Sequence, residues 1–392
     1  AQGRVNGTTF NTAVFTNLTR DHLDYHGTFD NYIKAKKKFF DQLPVDAFAL
    51  TNKDDRNGQI MLQNSPAARY TYALQSAADF TCKILESDFE GLLLKIESEE
   101  DAYLILSWIS DTIDEKVHEL LNNFGSVETL KIISKSRATE AFEKRRQIRL
   151  KSIKSLQYVK DVLELHSVQY VCNSDLNWPK RLNDLGRKKP LGIFYKGDYD
   201  VLDQESISIV GTRKSSIYGN CVAGEFAFDL ASIGFNIVSG GAIGIDTASH
   251  HGALNAQGKT ICVQANGLHK LYPSKNEILF DKITQNGLVI SEYPPGRNPT
   301  KNYFLDRNRI IAALSKSTMV IEAAEISGAL STARHALRMQ RLVLAIPGSI
   351  HSESSAGTNE LIRNREAESV SNLQQVLELI LPLGQVPMKA SL

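Results

Sequence analysis

From Ser167 onward the chain alternates short apolar runs with helical ones, and nothing else in it limits the fold so strongly. The runs are Gln169–Cys172, Gly192–Tyr195, Ser206–Val210, Asn236–Val238, Thr260–Gln264, Gly287–Ile290, Thr318–Ile321 and Leu342–Ile346. Each is short and largely apolar, with a helical stretch between it and the next, which reads as strand alternating with helix. Strands that are apolar along their whole length belong to a mostly parallel sheet covered on both faces, with right-handed crossovers. The expected class is α/β: a Rossmann-like, doubly wound, mostly parallel sheet over residues 166–385.

Upstream the texture differs. Residues 97–165 read as a small helical domain, with Leu104, Ile105, Trp108 and Ile109 and then Val117, Leu120, Leu121 and Phe124 at helical spacing. Between Lys131 and Lys160 stand ten Lys/Arg against Glu140 and Glu143. A solvated helix face is the ordinary meaning of such a run, and a phosphate-facing surface is the alternative. Residues 1–96 read as an α/β fragment, with strands at Thr12–Phe15, Ala47–Leu50, Tyr70–Tyr72 and Gly91–Ile96 and a helix at Asn31–Phe40. Residues 386–392 form a tail.

At 392 residues the chain can bury two or three cores. A net charge of +1 confines any nucleic-acid site to a local patch. Cys82, Cys172, Cys221 and Cys262 show no metal or disulfide spacing, which fits a reducing cytoplasm. No apolar stretch approaches the roughly 18 residues of a membrane span, and no signal peptide is legible, so no membrane partner is expected.

Two glycine-bearing turns follow strands in the sheet domain: Ser206–Gly219, "SISIVGTRKSSIYG", and Val238–Ala253, "VSGGAIGIDTASHHGA". Ligands of open α/β sheets gather at such turns, and the bare N–H groups at Gly240, Gly241 and Gly244 are expected to form an anion site. A dinucleotide would want G-x-G-x-x-G and a carboxylate after the next strand. Neither turn has that spacing, and the next strand ends at Gln264-Ala265-Asn266. No GxxxxGK[ST] is present either, so no NAD, ATP or other cofactor is expected.

The groups around the turns point elsewhere. Arg213 and Lys214 lie just past a strand, Lys275 lies in a loop, and "KNYFLDRNRIIAAL" supplies Lys301, Tyr303, Phe304, Arg307 and Arg309. Cations interleaved with aromatics make a stacking platform for single-stranded nucleic acid. The alternatives are a core role for Phe304 and an ion pair for Arg213. Asp246, His250, His251, Glu292 and Glu322 are available acids and bases. Adjacent histidines on a helix point about 100° apart, however, and cannot act as one unit. No nucleophile elbow, metal-spaced cluster or carboxylate pair is legible, so no catalytic residue and no metal are expected.

"SIVGTRKSSIYG", "GFNIVSGGAIGIDTASHHGAL", "GLVISEYPPG", "FLDRNRIIAALS" and "SGALSTARHA" with "IPGS" and "SAGTNELI" together resemble the DNA-processing protein A (DprA/Smf) family over about residues 98–385. The similarity is to the branch with a helical, SAM-like domain before the sheet. The resemblance implies a non-enzymatic protein that binds single-stranded DNA without sequence preference and forms a homodimer through the Rossmann-like domain. It also implies loading of the RecA recombinase in natural transformation. By motif, Arg213 would contact phosphates, Phe304 would stack a base, Lys301 would be the basic residue three before it, and Ser239, Gly240 and Gly241 would line the pocket. Asn308 completes the expected DNA-binding set. Many members carry a winged-helix domain after the sheet. Only Leu383–Leu392 stand there here, so its role is expected to be missing.

"QGRV", "AVFTNLTRDHLDYHGTFDNYIKAKKKFF" and "TNKDD" resemble an interior slice of the central domain of MurE, the UDP-MurNAc-tripeptide synthetase. That resemblance implies a carbamylated, Mg²⁺-binding lysine at Lys36 assisted by His22, and a UDP-sugar contact at Arg4. The ATP-binding loop expected before this slice is not in the chain, so these positions are expected to be relicts without ligase activity. A real fusion and a join of two incomplete genes both account for such a slice. Another alternative is a nucleotide hydrolase on a similar sheet. It would want P-G-G-x-G-T-x-x-E, where this chain has Ser327–Thr332 followed by Ala333-Arg334.

Overall fold

A computed structural model gives the structure of the chain and describes residues 10–17, 28–73, 76, 78–81, 84–88, 91–94, 98–111, 113–135 and 140–382. Arg4, His22 and the tail 386–392 lie outside the described residues. The chain folds as two compact units, Ala1–Ile96 and Glu97–Leu392.

In the first unit, strands β1 (Thr12–Phe15), β2 (Phe48–Asn52), β3 (Ala68–Ala73) and β4 (Phe80–Thr81) pair in parallel, in that order. Helix α1 (Phe29–Asp41) begins where the Thr28 hydroxyl accepts the Asn31 N–H at 3.3 Å, satisfying one of its free donors. Phe40 of α1 and Met61 of the short helix α2 (Gly58–Leu62) share a core with Ala13, Phe15 and Ala49. Lys36 is half-buried, with Nζ 5.2 Å from the Tyr32 ring and 5.9 Å from the Phe15 ring. The seat is a cation–π one. Strands β5 (Ile84–Asp88) and β6 (Gly91–Leu94) form an antiparallel pair.

The second unit opens with helices α3 (Glu99–Ile109), α4 (Glu115–Lys135), α5 (Ala141–Ser152) and α6 (Leu156–Leu165). Gly125, at φ 74°, breaks α4 into two. The apolar stripe therefore ends early: Val117 and Leu121 are buried, but Phe124 is 54% exposed. Half of the basic run forms ion pairs within the segment, while Lys144, Lys151 and Lys154 are exposed. Arg145 and Arg149 pair with Asp111, Arg146 with Asp114, Lys131 with Glu128 and Lys160 with Asp101. Arg137 lies outside the described residues.

The sheet that follows has the order β15–β14–β13–β9–β10–β11–β12–β8–β7 among the described residues. From β9 (Ser206–Val210) the chain steps outward through β10 (Asn236–Ser239), β11 (Thr260–Gln264) and β12 (Leu288–Ser291). It then returns to the other side of β9 for β13 (Ser317–Val320), β14 (Leu342–Ala345) and β15 (Glu368–Ser369). These seven strands are parallel, so the doubly wound class holds. The strands β7 (Gln169–Cys172) and β8 (Gly192–Gly197) run antiparallel at one edge. Two polar residues make β15, which is why the hydrophobic pattern gave no sign of it.

Helices cover both faces. Helices α7 (Ile217–Ser232) and α13 (Leu373–Ile380) pack on Ile207, Ile209, Ile237, Met319 and Leu344. Helices α10 (Lys301–Leu314), α11 (Gly328–Arg338) and α12 (Ala356–Arg363) pack on Val210, Val238, Ile261, Val320 and Val343. Helix α8 (Ile245–Asn255) follows β10, and α9 (Glu277–Asn286) lies against β11, β12 and β8. Among the described residues no helix is long and apolar enough to cross a membrane.

Candidate nucleic-acid interface

The chain leaves β9 in one direction and β13 in the other, so the loops after these neighbouring strands diverge and open a crevice at their carboxyl ends. A cleft of about 560 Å³ lies there. One wall is the loop after β9, Gly211-Thr212-Arg213; another is the first two turns of α10; the third is the loop from Ala324 into α11.

Of the expected residues, Arg213, Lys301, Phe304, Arg307 and Asn308 line this cleft. Arg213 and Lys301 are exposed and Phe304 is half-buried, so Phe304 is not a core side chain. Its ring carries the Arg213 guanidinium 4.8 Å from its centroid, Arg307 at 6.0 Å and the Tyr272 ring at 5.8 Å. Tyr272 was not singled out from the sequence, because nothing local shows that its loop reaches α10. Lys214 and Lys275 are exposed but do not line the cleft.

The glycine-rich turn after β10 does something other than expected. Ser239, Gly240 and Gly241 are buried. The Ser239 hydroxyl donates to the Ile209 carbonyl at 2.7 Å, and the N–H groups of Gly240 and Ala242 point at the Asp246 carboxylate. Arg307, only 4% exposed, donates Nη1 to the Gly240 carbonyl at 2.7 Å and to the Val263 carbonyl. A Cβ at Gly240 would stand 2.4 Å from that guanidinium, so any larger residue would displace the arginine. Burial raises the pKa of Asp246 and lowers that of Arg307, and the opposite charge of each partner works against the shift. The turn therefore cradles the protein's own arginine and carboxylate beneath the cleft. Its N–H groups were expected to hold a ligand phosphate directly; the chain's own carboxylate occupies that role at Gly240 and Ala242. The signal was legible only in part, since Asp246 stood among the candidate acids while its partner lay some 60 residues away in sequence.

Other polar groups fix the rim. The Glu322 carboxylate accepts the Ser216 N–H at 2.9 Å and its hydroxyl at 2.6 Å, holding the loop that carries Arg213. Gly244 (φ 92°) lets α8 approach that loop, where an added Cβ would stand 2.5 Å from the Thr212 carbonyl. Asn308 Nδ2 donates to the Gly328 carbonyl at 3.1 Å, tying α10 to α11 across the cleft.

Except for His251, the candidate acids and bases have structural duties. His250 is fully buried, and burial holds its pKa at about 3. The Thr260 hydroxyl donates to the Ile237 carbonyl, so His250 Nδ1, 2.7 Å from that oxygen, is the N–H donor. His251 is exposed. Glu292 is paired with the fully buried Arg309 at 2.6 Å. In the first unit, Lys36 sits over its aromatic rings, while His22 and Arg4 lie outside the described residues.

With this geometry in place, the relatives are informative. The sequence profile of the family described as DNA recombination-mediator protein A matches residues 169–381, and that of the Mur ligase middle domain matches residues 1–108. A putative DNA processing protein DprA of Mycobacterium tuberculosis is 39% identical over 187 residues, 48% of either chain. At the front, a UDP-N-acetylmuramoyl-L-alanyl-D-glutamate–2,6-diaminopimelate ligase of Parabacteroides distasonis is 60% identical over 99 residues, 25% of this chain and 20% of that one. The chain thus spans about half the length of the DNA-processing relative and a fifth of the ligase. Among solved structures, DNA processing protein A of Streptococcus pneumoniae is 33% identical with a TM-score of 0.62, covering 73% of this chain and 99% of that one. The protein of the same name from Helicobacter pylori, whose structure concerns its single-stranded DNA binding mode, is 34% identical with a TM-score of 0.50, covering 54% of this chain and 96% of that one.

Proposed function

The chain belongs to the DNA recombination-mediator protein A family, and from that premise we propose that its second unit binds single-stranded DNA without sequence preference and acts as a recombination mediator. One observation carries the reading: Arg213 from the loop after β9 and Lys301 and Phe304 from the first turn of α10 meet in a single cleft at the sheet's switch point. Two exposed cations follow the phosphates, and the ring stacks a base that the guanidinium flanks. Lys214, next to Arg213, and Lys275 add exposed positive charge outside the cleft. Ser239, Gly240, Gly241, Arg307 and Asn308 shape the floor and the far wall rather than grip the strand.

In this reading the strand is passed to a RecA recombinase, the working form is a homodimer through the sheet domain, and the setting is the cytoplasm. The chain is not an enzyme, and residues 1–96 contribute no ligase activity. The work is divided between a helical domain at 97–165 and a DNA-binding sheet domain at 166–385.

The test is fluorescence anisotropy of the full chain with labelled oligo-dT and with duplex of the same length, at two salt concentrations. Salt-sensitive preference for the single strand, lost in Lys301→Glu, is the expected result. Equal binding to duplex, or none to either, would overturn the reading and bring a nucleotide-sized ligand forward.

A further inference from the structure

The helical segment before the sheet meets the loop that leads into the DNA-binding helix. Arg297 lies in the loop between β12 and α10, just ahead of Thr300, the N-cap of α10. Its side chain leaves the sheet domain: Nη2 donates to the Trp108 carbonyl at 2.8 Å and lies 3.4 Å from that of Ser110. These are end carbonyls of α3, which have no partner within the helix and carry the negative end of its dipole. The Ile109 carbonyl between them accepts Nη1 of Arg149 at 2.9 Å, and Arg149 pairs with Asp111 at 2.7 Å. The end of α3 is thus an acceptor node shared by an arginine of the basic helix and an arginine of the loop.

That loop is otherwise held within the sheet domain. The Arg297 carbonyl accepts the Gly267 N–H at 2.9 Å, and the Gly296 N–H donates to His269 Nδ1 at 3.0 Å. Tyr293 stacks on Tyr303 with ring centroids 4.2 Å apart, and Glu292 pairs with Arg309. Lys301 and Phe304 occupy the first turn of α10, immediately after the loop. The Arg297 side chain ties this stretch to the end of α3.

We infer that Arg297 is a positioning residue, through which the helical segment braces the first turn of α10 in the orientation that presents Lys301 and Phe304 to the strand. The inference rests on the single-stranded DNA reading above. A brace of this kind raises affinity by removing an ordering cost at binding, without touching the ligand. Its signature differs from that of a phosphate contact, whose loss would flatten the salt dependence.

The experiment compares wild type, Arg297→Ala, Arg297→Lys and Phe304→Ala in the full chain, by oligo-dT anisotropy across a salt series and by hydrogen exchange of the free proteins. Arg297→Ala is expected to weaken binding about tenfold, the loss of one charge-assisted hydrogen bond, with an unchanged salt slope. Amides 301–304 should exchange faster. Arg297→Lys, which keeps donors for the same carbonyls and the fold they support, should recover part of both effects. Unchanged affinity in Arg297→Ala while Phe304→Ala loses binding would overturn the brace and leave the DNA reading standing. So would a reduced salt slope, which would make Arg297 a phosphate contact. If wild type binds no single strand, the DNA reading fails, and the exchange rates decide the brace alone: faster exchange in Arg297→Ala supports it and unchanged exchange overturns it.

Discussion

In the large sheet of the second unit, Ile207, Ile209 and Ile237 on one face and Val238 and Ile261 on the other are fully buried. The four-stranded sheet of the first unit covers Ala13, Phe15 and Ala49 but leaves Val14, Phe48, Tyr70 and Phe80 41–53% exposed, with Phe48 and Tyr70 in edge-to-face contact. The first sheet is parallel and the second mostly so, and both follow the same local code of short apolar strands. Forming a strand needs only the chain's own pattern, whereas finishing a parallel sheet needs a second layer on each face. The consequence shows in the charges. Where both faces are closed, Arg307 and Arg309 lie in the interior among carbonyls and carboxylates. Where one is open, Lys36 stays half-buried over rings.

If that contrast is right, the largest effect should come from unpairing a buried charge in the closed sheet. Glu292→Ala leaves Arg309 without its carboxylate and should cost about 3–5 kcal/mol. Urea unfolding followed by tryptophan fluorescence measures it, because both tryptophans, Trp108 and Trp178, belong to the second unit. A loss below about 1 kcal/mol would mean that Arg309 finds water or another partner.

Next comes pH. His250 is held at about 3 by burial, against about 6.5 in the unfolded chain. Between those values the unfolded state binds the extra proton, so stability is present above about 6.5 and is lost as pH falls. At pH 5 the loss should be about 2 kcal/mol. His335, held at about 4 by burial and the nearby Arg338 charge, acts in the same direction. His250→Asn, which keeps an N–H for Thr260, should weaken the slope, and a tryptophan-monitored unfolding series from pH 7 to 5 reads it. An unaltered slope would show that this histidine is not the source.

The third concerns the cleft. Phe304→Ala should cost about 1–3 kcal/mol in oligo-dT affinity with the salt slope unchanged, and leave the tryptophan-monitored midpoint nearly in place. Global unfolding instead would make Phe304 part of the core and put the two sheets on different terms.

The smallest effect belongs to the open face. Phe48→Ser should change stability by less than about 0.5 kcal/mol and lower the binding of an apolar dye such as ANS. A large destabilisation would show that this face is covered after all.

Much was legible from residue order alone. Hydrophobic period placed the strands, because a buried strand must be apolar along its length whatever surrounds it. Basic and aromatic side chains at Arg213, Lys301 and Phe304 stood out before any fold was known, and the fold brings them into one cleft. Other features could not be read that way. In the run "FLDRNR", Arg307 looks as exposed as Arg213, and only the packing of β10 and β11 under α10 turns it inward onto Gly240 and Val263. The glycines of "VSGGAIG" look like a bare anion cradle, yet Asp246 of the same turn fills it. Half of the basic run at 131–160 proved to be paired with acids, most of the pairs reaching the turn between α3 and α4. The physical reason is the same for the arginine and for the pairs made across segments. Hydrophobicity and helical or strand period are properties of a few consecutive residues. Whether a charge meets solvent, a ligand or another charge depends on which distant segment packs beside it, and that is decided only when the sheet closes.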